Sequence, residues 1–482
     1  MAKRPVYLTW EGKSEALEAL QRSIPPVELE EDCPPLQKDG SAARAAPPHR
    51  ILRGDALDTA RALGREGLVG RVDLVYLDPP YGTGVDYRHE ERLDGPALGR
   101  VARAAAYGDR WSDGASYLDM LFPRLVALRP LLKPSGSIWI QVDWRASYLV
   151  RALCDEIFGA DRFLNEIVWR RAPNLGRQAR SGQFGRTLDT MVVYGAGPKA
   201  RLLPPARLVP VPARAARRDP GSGRWFTLAP RGDYTDDSVA RLSLENRVHR
   251  SSSGNLSIKY WLEEDDDGNL CKRQPIDALW VDVPPLRHAA TEERTGYPTQ
   301  KPRHLLERVI STSSPLGELV VDLFAGSGTT GVAAARLGRR FILGDQSPVA
   351  VATMRSRLLR EGVSPLTLER CGAEAEAGQA AIRVCPVGEM QMKVSLVCRT
   401  GTEPVAWALS LEPERGAPFR TDWHAERGTG RKPAELPLVA VVPRSRVVVA
   451  RVYFVDGKVA HLDAILATER RPEPTSLIGT PT

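Results

Sequence analysis

No two cysteines in this chain are spaced CxxC. The six that occur, Cys33, Cys154, Cys271, Cys371, Cys385 and Cys398, stand far apart, with no histidine spacing suited to zinc. Scattered reduced thiols are therefore expected, and a structural metal is not. Nowhere do 18 apolar residues run together, which argues against a helical membrane span, and the opening "MAKRPVYLTWEGK" has no apolar signal core. A cytoplasmic protein without membrane contact is the expectation. A GxxxxGK phosphate loop closed by Ser or Thr is missing too, so no built-in helicase motor is expected.

The 482 residues present allow about three domains at roughly 150 residues each. The net charge of +8 is not spread evenly: Glu166 to Arg224 holds twelve Lys/Arg against three Asp/Glu. A local field of that sign suits nucleic acid. Residues 1–48, with "SIPPVELEEDCPPLQKDG", read as a polar, proline-punctuated arm, and order is expected to begin at "HRILRGDAL". Over 49–195 strand and helix signals alternate, as in an α/β layer architecture. "VDLVYL" reads as a strand; Tyr117, Leu118, Leu121, Phe122, Leu125 and Leu128 follow helical spacing, with "SIWIQVDW" as the next strand.

Residues 196–290 begin with "AGPKARLLPPARLVPVPARAARRDP", an extended basic linker by composition, and include the hairpin signal "IKYWLEEDDDGNLCKR" around Gly268. The α/β pattern returns over 291–363: a helix through Leu305, Leu306, Val309 and Ile310, then the strands "ELVVDLF" and "RRFILGD". Ser347 and Pro348 start a last helix, which Gly362 stops. Residues 364–482 turn β-rich, as in "SRVVVARVYFV" followed by "DGK", and read as a separate domain.

Two motifs carry chemistry. "VVDLFAGSGTTG" sets Gly326, Gly328 and Gly331 between a strand and a helix, and Asp345 ends the next strand. Those features alone fit a dinucleotide site. Asp322, just before the turn, discriminates: its charge would repel a pyrophosphate and welcome an ammonium group. S-adenosylmethionine, with a cationic amino-acid end, fits better, with Asp345 accepting its ribose hydroxyls. The second motif, "LVYLDPPYGTG", ends a buried strand in Asp78, Pro79, Pro80 and Tyr81. An exocyclic base amine is a poor nucleophile because its lone pair is delocalised into the ring. A carboxylate (Asp78) and a fixed carbonyl (Pro79) that take both amine hydrogens would localise it. The prolines fix φ and lack N–H donors, and Tyr81 offers a face for a base swung out of a duplex.

In order, "RGDAL", "DPPYGTG", "GSIWIQVD", "NEIVW", "DALWVDVPP", "TGYPTQKP", "DLFAGSGTTG" and "ILGDQSP" resemble the β class of amino-methylating DNA methyltransferases, over roughly residues 50 to 362. The resemblance implies a Rossmann-like S-adenosylmethionine-dependent methyltransferase fold in circularly permuted motif order. Its mostly parallel sheet would have seven strands, with the target-recognition region inserted at 196–290 and the β-rich domain appended. It implies that Asp55 and Ala56 contact the cofactor's adenine, and that Thr299, Gln300, Lys301 and Pro302 lie beside it with Lys301 on its carboxylate. Phe324, Ala325, Gly326, Ser327 and Gly328 would form the glycine wall, and Thr329 and Thr330 would bond the carboxylate.

Asp189 stands where relatives often carry a His-Asp pair. "TDWHAERGTG", with His424, reads as a surface loop. Double-stranded DNA is the expected partner, with a homodimer and a separate restriction-type nuclease left open. Asp rather than Ser at the head of the tetrapeptide leans, in that family, to adenine N6 over cytosine N4. An NAD-dependent oxidoreductase and a non-catalytic DNA-binding regulator stand as the competing classes.

Overall fold

The computed structural model describes residues 7–34, 47–81, 84–92, 101–109, 111, 113–173, 182–372, 380–387, 391–398, 404–411, 413, 419–426, 439–443, 447–454, 458–465 and 475–477. Gly82 and Thr83 of the "GTG" link, residues 174–181 of the basic stretch, "RGTG" at 427–430 and the first two residues of "DGK" lie outside them. The chain divides into two compact units, residues 203–278 and the remainder.

The larger unit is built on an eleven-stranded sheet. Its seven central strands run, in spatial order, Phe163–Arg170, Leu188–Gly195, Leu132–Val142, Val72–Leu77, Leu319–Asp322, Arg340–Asp345 and His49–Arg53. Neighbours are parallel from Leu132–Val142 through His49–Arg53, and Leu188–Gly195 runs antiparallel to both strands beside it. This is the expected Rossmann-like sheet, extended by Leu279–Trp280 on one edge and by Leu366–Cys371, Val27–Cys33 and Phe419–Arg420 on the other. Val72–Leu77 is buried along its whole length, as a parallel strand covered on both faces requires. Because Val320 lies beside Leu74 and Val321 beside Val75 in parallel register, the chain leaves both strands at the same edge of the sheet. The two motifs, far apart in sequence, therefore open side by side at the carboxyl ends of adjacent strands, where α/β folds gather ligands.

The amino-terminal segment differs from the arm expected. Val27–Cys33 pairs antiparallel with Leu366–Cys371, helix Lys13–Glu18 packs on helix Gly114–Leu128, and Trp10 Nε1 donates to Asp119 at 2.7 Å. The sequence "VELEEDC" looks too polar for a sheet, but its inward Glu31 is fully buried in a bidentate pair with Arg355, both bonds 2.7 Å. Burial would raise the Glu31 carboxyl; the Arg355 guanidinium, with Arg451 and Thr421, outweighs it and holds the group well below the usual range. Thr421 and Tyr453 also donate to Glu31, so this knot ties the β-rich region to the central sheet. That region begins later than expected, since Leu366–Cys371 belongs to the large sheet. Beyond it lie two four-stranded sheets with a shared apolar core around Trp407, Val394, Val452 and Leu462.

In the smaller unit, the stretch expected to be a linker supplies strand Ala206–Pro210, paired with Leu270–Pro275 at a sheet edge where prolines are tolerated. The hairpin Leu256–Glu264 to Leu270–Pro275 turns at Gly268, whose φ is +78°. Among the described residues no helix is long and apolar enough to cross a membrane.

Candidate active site

A cavity of about 240 Å³ opens where the two strand tips meet. Asp55, Ala56, Asp78, Pro80, Thr299, Gln300, Lys301, Asp322, Phe324, Ala325, Gly326, Ser327, Thr329, Thr330 and Asp345 all line it. Pro79, Tyr81, Pro302 and Gly328 adjoin those residues in the chain without being among them.

The glycine turn is shaped by backbone demands. Gly326 and Gly328 have φ of +49° and +76°, and a Cβ on Gly328 would lie 2.9 Å from Met354 Cγ. Gly331 serves packing instead: a Cβ there would meet Leu343 Cδ1 at 2.7 Å, so its absence lets helix Thr329–Arg336 lie close on the sheet. Two carboxylates brace the turn. Asp345 accepts from Gly326 N at 3.0 Å and from Ser347 N at 2.9 Å; Asp322 accepts from Phe324 N at 3.0 Å and from Thr330 Oγ1 at 2.5 Å. Each oxygen keeps a lone pair for a further donor. Burial pushes Asp345 up to about 6, and burial, with Asp78 and Asp345 nearby, pushes Asp322 up to about 7. Two carboxylates held reluctantly ionised at one cavity fit a ligand that brings a cation and hydroxyl donors.

Opposite, Asp78 uses both oxygens: Tyr81 OH donates to Oδ1 and Lys301 Nζ to Oδ2. The Lys301 ammonium also lies 5.4 Å from the Tyr81 ring centroid. Burial, and then Asp78, hold the Tyr81 phenol well above its ordinary value, so it stays a neutral donor. Lys301, expected on a cofactor carboxylate, pairs in this structure with Asp78.

Other expected residues are committed in ways their motifs do not show. Asp55 caps helix Ala56–Leu63 through Leu57 N at 2.8 Å, and its other oxygen pairs with Arg124. Gln300 spends its amide within its own loop, on Thr295 N at 2.9 Å and Glu293 O at 2.7 Å. The Thr330 hydroxyl is spent on Asp322, and Thr329 Oγ1 donates to Lys301 O at 3.2 Å. Asp189 is buried, 2.7 Å from Arg171 Nε and 3.1 Å from Gln141 Nε2, and Gln141 in turn accepts from Tyr76 OH at 2.7 Å.

Tyr107, Trp111, Met120, Arg124 and Tyr297 also line the cavity and were not read from the sequence. Tyr107 is set by the hairpin Val85–Arg92 to Val101–Asp109; it stacks on Tyr87 at 4.9 Å and bonds Thr299 Oγ1 at 2.8 Å. An aromatic in each strand just after "DPPYGTG" was the available signal.

The sheet order and the glycine turn at its switch point define a Rossmann-like methyltransferase fold. The family described as DNA methylase, covering N6 and N4 enzymes, matches residues 72–355. The chain belongs to that DNA methylase family. It is 28% identical over 326 residues to the type II methyltransferase M.EcaI of Enterobacter cloacae, covering 62% of this chain and 68% of that protein. It is 26% identical over 342 residues to the type III restriction-modification enzyme StyLTI Mod subunit of Salmonella typhimurium, covering 61% of this chain but only 51% of the relative. Among solved structures it is similar to the M1.HpyAVI–SAM complex (17% identity, 64% of this chain and 98% of that one, TM-score 0.36). It is similar also to the cytosine-N4-specific PvuII DNA methyltransferase (17% identity, 66% and 89%, TM-score 0.34).

Proposed function

We propose that this DNA methylase is a site-specific adenine-N6 methyltransferase that acts on a base flipped from duplex DNA and uses S-adenosylmethionine. The observation that carries the reading is the shared cavity: the Asp78 carboxylate on one side, the Asp322 and Asp345 carboxylates and the glycine turn on the other. Asp322 suits the cofactor's ammonium, Asp345 its ribose hydroxyls, and the open backbone from Phe324 to Gly328 its methionine chain. Bound there, the cofactor supplies an activated methyl group.

The chain's own residues do the rest. Asp78 and the Pro79 carbonyl accept the two amine hydrogens, which pulls the nitrogen towards a tetrahedral form with its lone pair directed across the cavity. Tyr81 orients Asp78 through its hydroxyl and offers its ring to the base. Lys301 pairs with Asp78 and holds its carboxylate in place until the amine arrives. Asp at the head of the tetrapeptide favours adenine, by the family resemblance. Residues 203–278 and the basic stretch leading into them suit phosphate contacts that position the duplex. A cytoplasmic setting, and a separate nuclease partner as in restriction-modification systems, accord with this reading.

The test is chemical. Purified protein, duplex DNA and labelled S-adenosylmethionine are incubated, and the DNA is digested and resolved by mass spectrometry. N6-methyldeoxyadenosine is the expected product; N4-methyldeoxycytidine would replace the adenine reading, and no transfer on any duplex would remove it.

A further inference from the structure

With Lys301 engaged by Asp78 and Arg124 by Asp55, no cation lining the cavity among the described residues is left for the carboxylate end of an amino-acid cofactor. A cation lies behind the wall. Arg357, on helix Pro348–Arg360, is 3% exposed. Its Nη1 donates to Thr329 Oγ1 at 2.8 Å, and more weakly to Ser327 O at 3.3 Å and Ser327 Oγ at 3.4 Å. Both residues line the cavity. Nη2 is buried with no hydrogen-bond partner among the described residues. Burial pulls the guanidinium down to about 10, against the attraction of the more distant Glu293 and Glu361. A buried cation with an unused donor is costly unless an anion comes near it.

We propose that Arg357 is the cation that selects the cofactor's carboxylate, acting through Thr329 and Ser327 as a positioning residue; this rests on the S-adenosylmethionine reading. The Thr329 hydroxyl has one hydrogen. Arg357 occupies a lone pair of its oxygen, so the hydrogen must point away from Arg357. It reaches Lys301 O at 3.2 Å, a long contact that a carboxylate in the cavity would outcompete. Arg357 thus turns Thr329 into a polarised donor aimed at the anion. Thr330 cannot take this part, because its hydroxyl is held by Asp322.

Two ligands separate this role from a structural one: S-adenosylhomocysteine, and 5′-methylthioadenosine, which shares the nucleoside and thioether but lacks the amino-acid end. Calorimetry on the full chain compares the parent with Arg357→Lys and Arg357→Met. Loss of the orientation and polarisation of the Thr329 donor, on the order of one hydrogen bond, predicts about tenfold weaker S-adenosylhomocysteine binding in Arg357→Met. A smaller loss is expected in Arg357→Lys, with methylthioadenosine unchanged within twofold in both. Equal weakening of both ligands, or of neither, would overturn the inference while leaving the cofactor reading intact. If Arg357→Met does not fold, Thr329→Val is read in its place: the same selective loss supports the inference, and its absence overturns it. A parent protein that binds neither ligand would overturn the cofactor reading, and this inference with it.

Discussion

Replacing Asp322 by Asn changes the charge of the cavity with little change in its shape. The side-chain oxygen still accepts from Phe324 N, and the new amide can donate to Thr330 Oγ1 once that hydroxyl turns round. Burial places the parent carboxyl at about 7, with Asp78 and Asp345 adding to the shift. A ligand that needs the ionised form must therefore meet the cost of ionisation below that pH, about 1.4 kcal/mol per unit. From pH 8 to pH 6 the Asp322 contribution to the association constant for S-adenosylmethionine should fall about tenfold. The ligand's own α-amino group titrates near this range, so the parent's constant is divided by that of Asp322→Asn at each pH, which cancels the ligand's contribution.

At pH 8 the variant should bind more weakly by about 1.5–3 kcal/mol, on the order of 10- to 150-fold, the worth of a hydrogen bond to a charged group. Stability gives the opposite sign and serves as the folding control. The folded-state value lies above the ordinary 3.8, so the parent's carboxyl favours the fold at low pH and loses that contribution as pH rises towards 7. The neutral variant should then melt higher than the parent at pH 8. Calorimetry at pH 6, 7 and 8 with parallel melting curves is the assay. A parent-to-variant ratio that stays flat with pH, or a variant that binds as tightly as the parent at pH 8, would refute the reasoning.

Other perturbations probe other parts of the fold. Lys301→Gln removes the partner of Asp78 and not the carboxylate's partner proposed above, so kcat should fall more than about tenfold while the S-adenosylhomocysteine Kd moves less than about threefold; a large loss of cofactor affinity would return Lys301 to the cofactor. Glu31→Gln removes the negative charge that faces the buried Arg355 and should cost about 3–5 kcal/mol, read as a lower urea midpoint. Because the Glu31 carboxyl is held below its ordinary 4.5, that stabilisation is fully present above this pH and fades as pH falls through the lower folded value, so parent and variant should converge in acid. An unchanged midpoint at pH 7 would show that the knot does not hold the β-rich region.

What was legible in the sequence follows from range. Four of the seven central strands, Val72–Leu77, Leu132–Val142, Leu319–Asp322 and Arg340–Asp345, and helices such as Pro348–Arg360 carry local signals: continuous apolar runs, caps such as Ser347, and glycines that only a tight turn explains. The two motifs were legible for the same reason, since each is a contiguous stretch whose residue types make sense together. Strand Val27–Cys33 was not, because its inward Glu31 is made tolerable by Arg355, 324 residues away. Strand Ala206–Pro210 was hidden by prolines that only an edge position permits. Within the site, the pairing of Lys301 with Asp78 and the placement of Arg357 behind the glycine turn depend on which loops cross at a strand tip, and no local spacing encodes that. Tyr107 marks the intermediate case, an aromatic close in sequence to the motif and brought to the cavity by a hairpin.

In the proposed function, Asp78, at the tip of Val72–Leu77, holds the amine of a target adenine while the glycine turn holds the methyl donor. Expression of the parent and of Asp78→Ala in a methylation-free bacterial host, followed by sequencing that detects modified bases directly, tests it. The parent should leave N6-methyladenine at one recurring sequence. Asp78→Ala should leave none, although the purified variant still binds S-adenosylhomocysteine within about threefold of the parent, since the proposed role of Asp78 is to hold the amine and not the cofactor. Methylation by Asp78→Ala at near-parent levels, or N4-methylcytosine in place of N6-methyladenine, would contradict it.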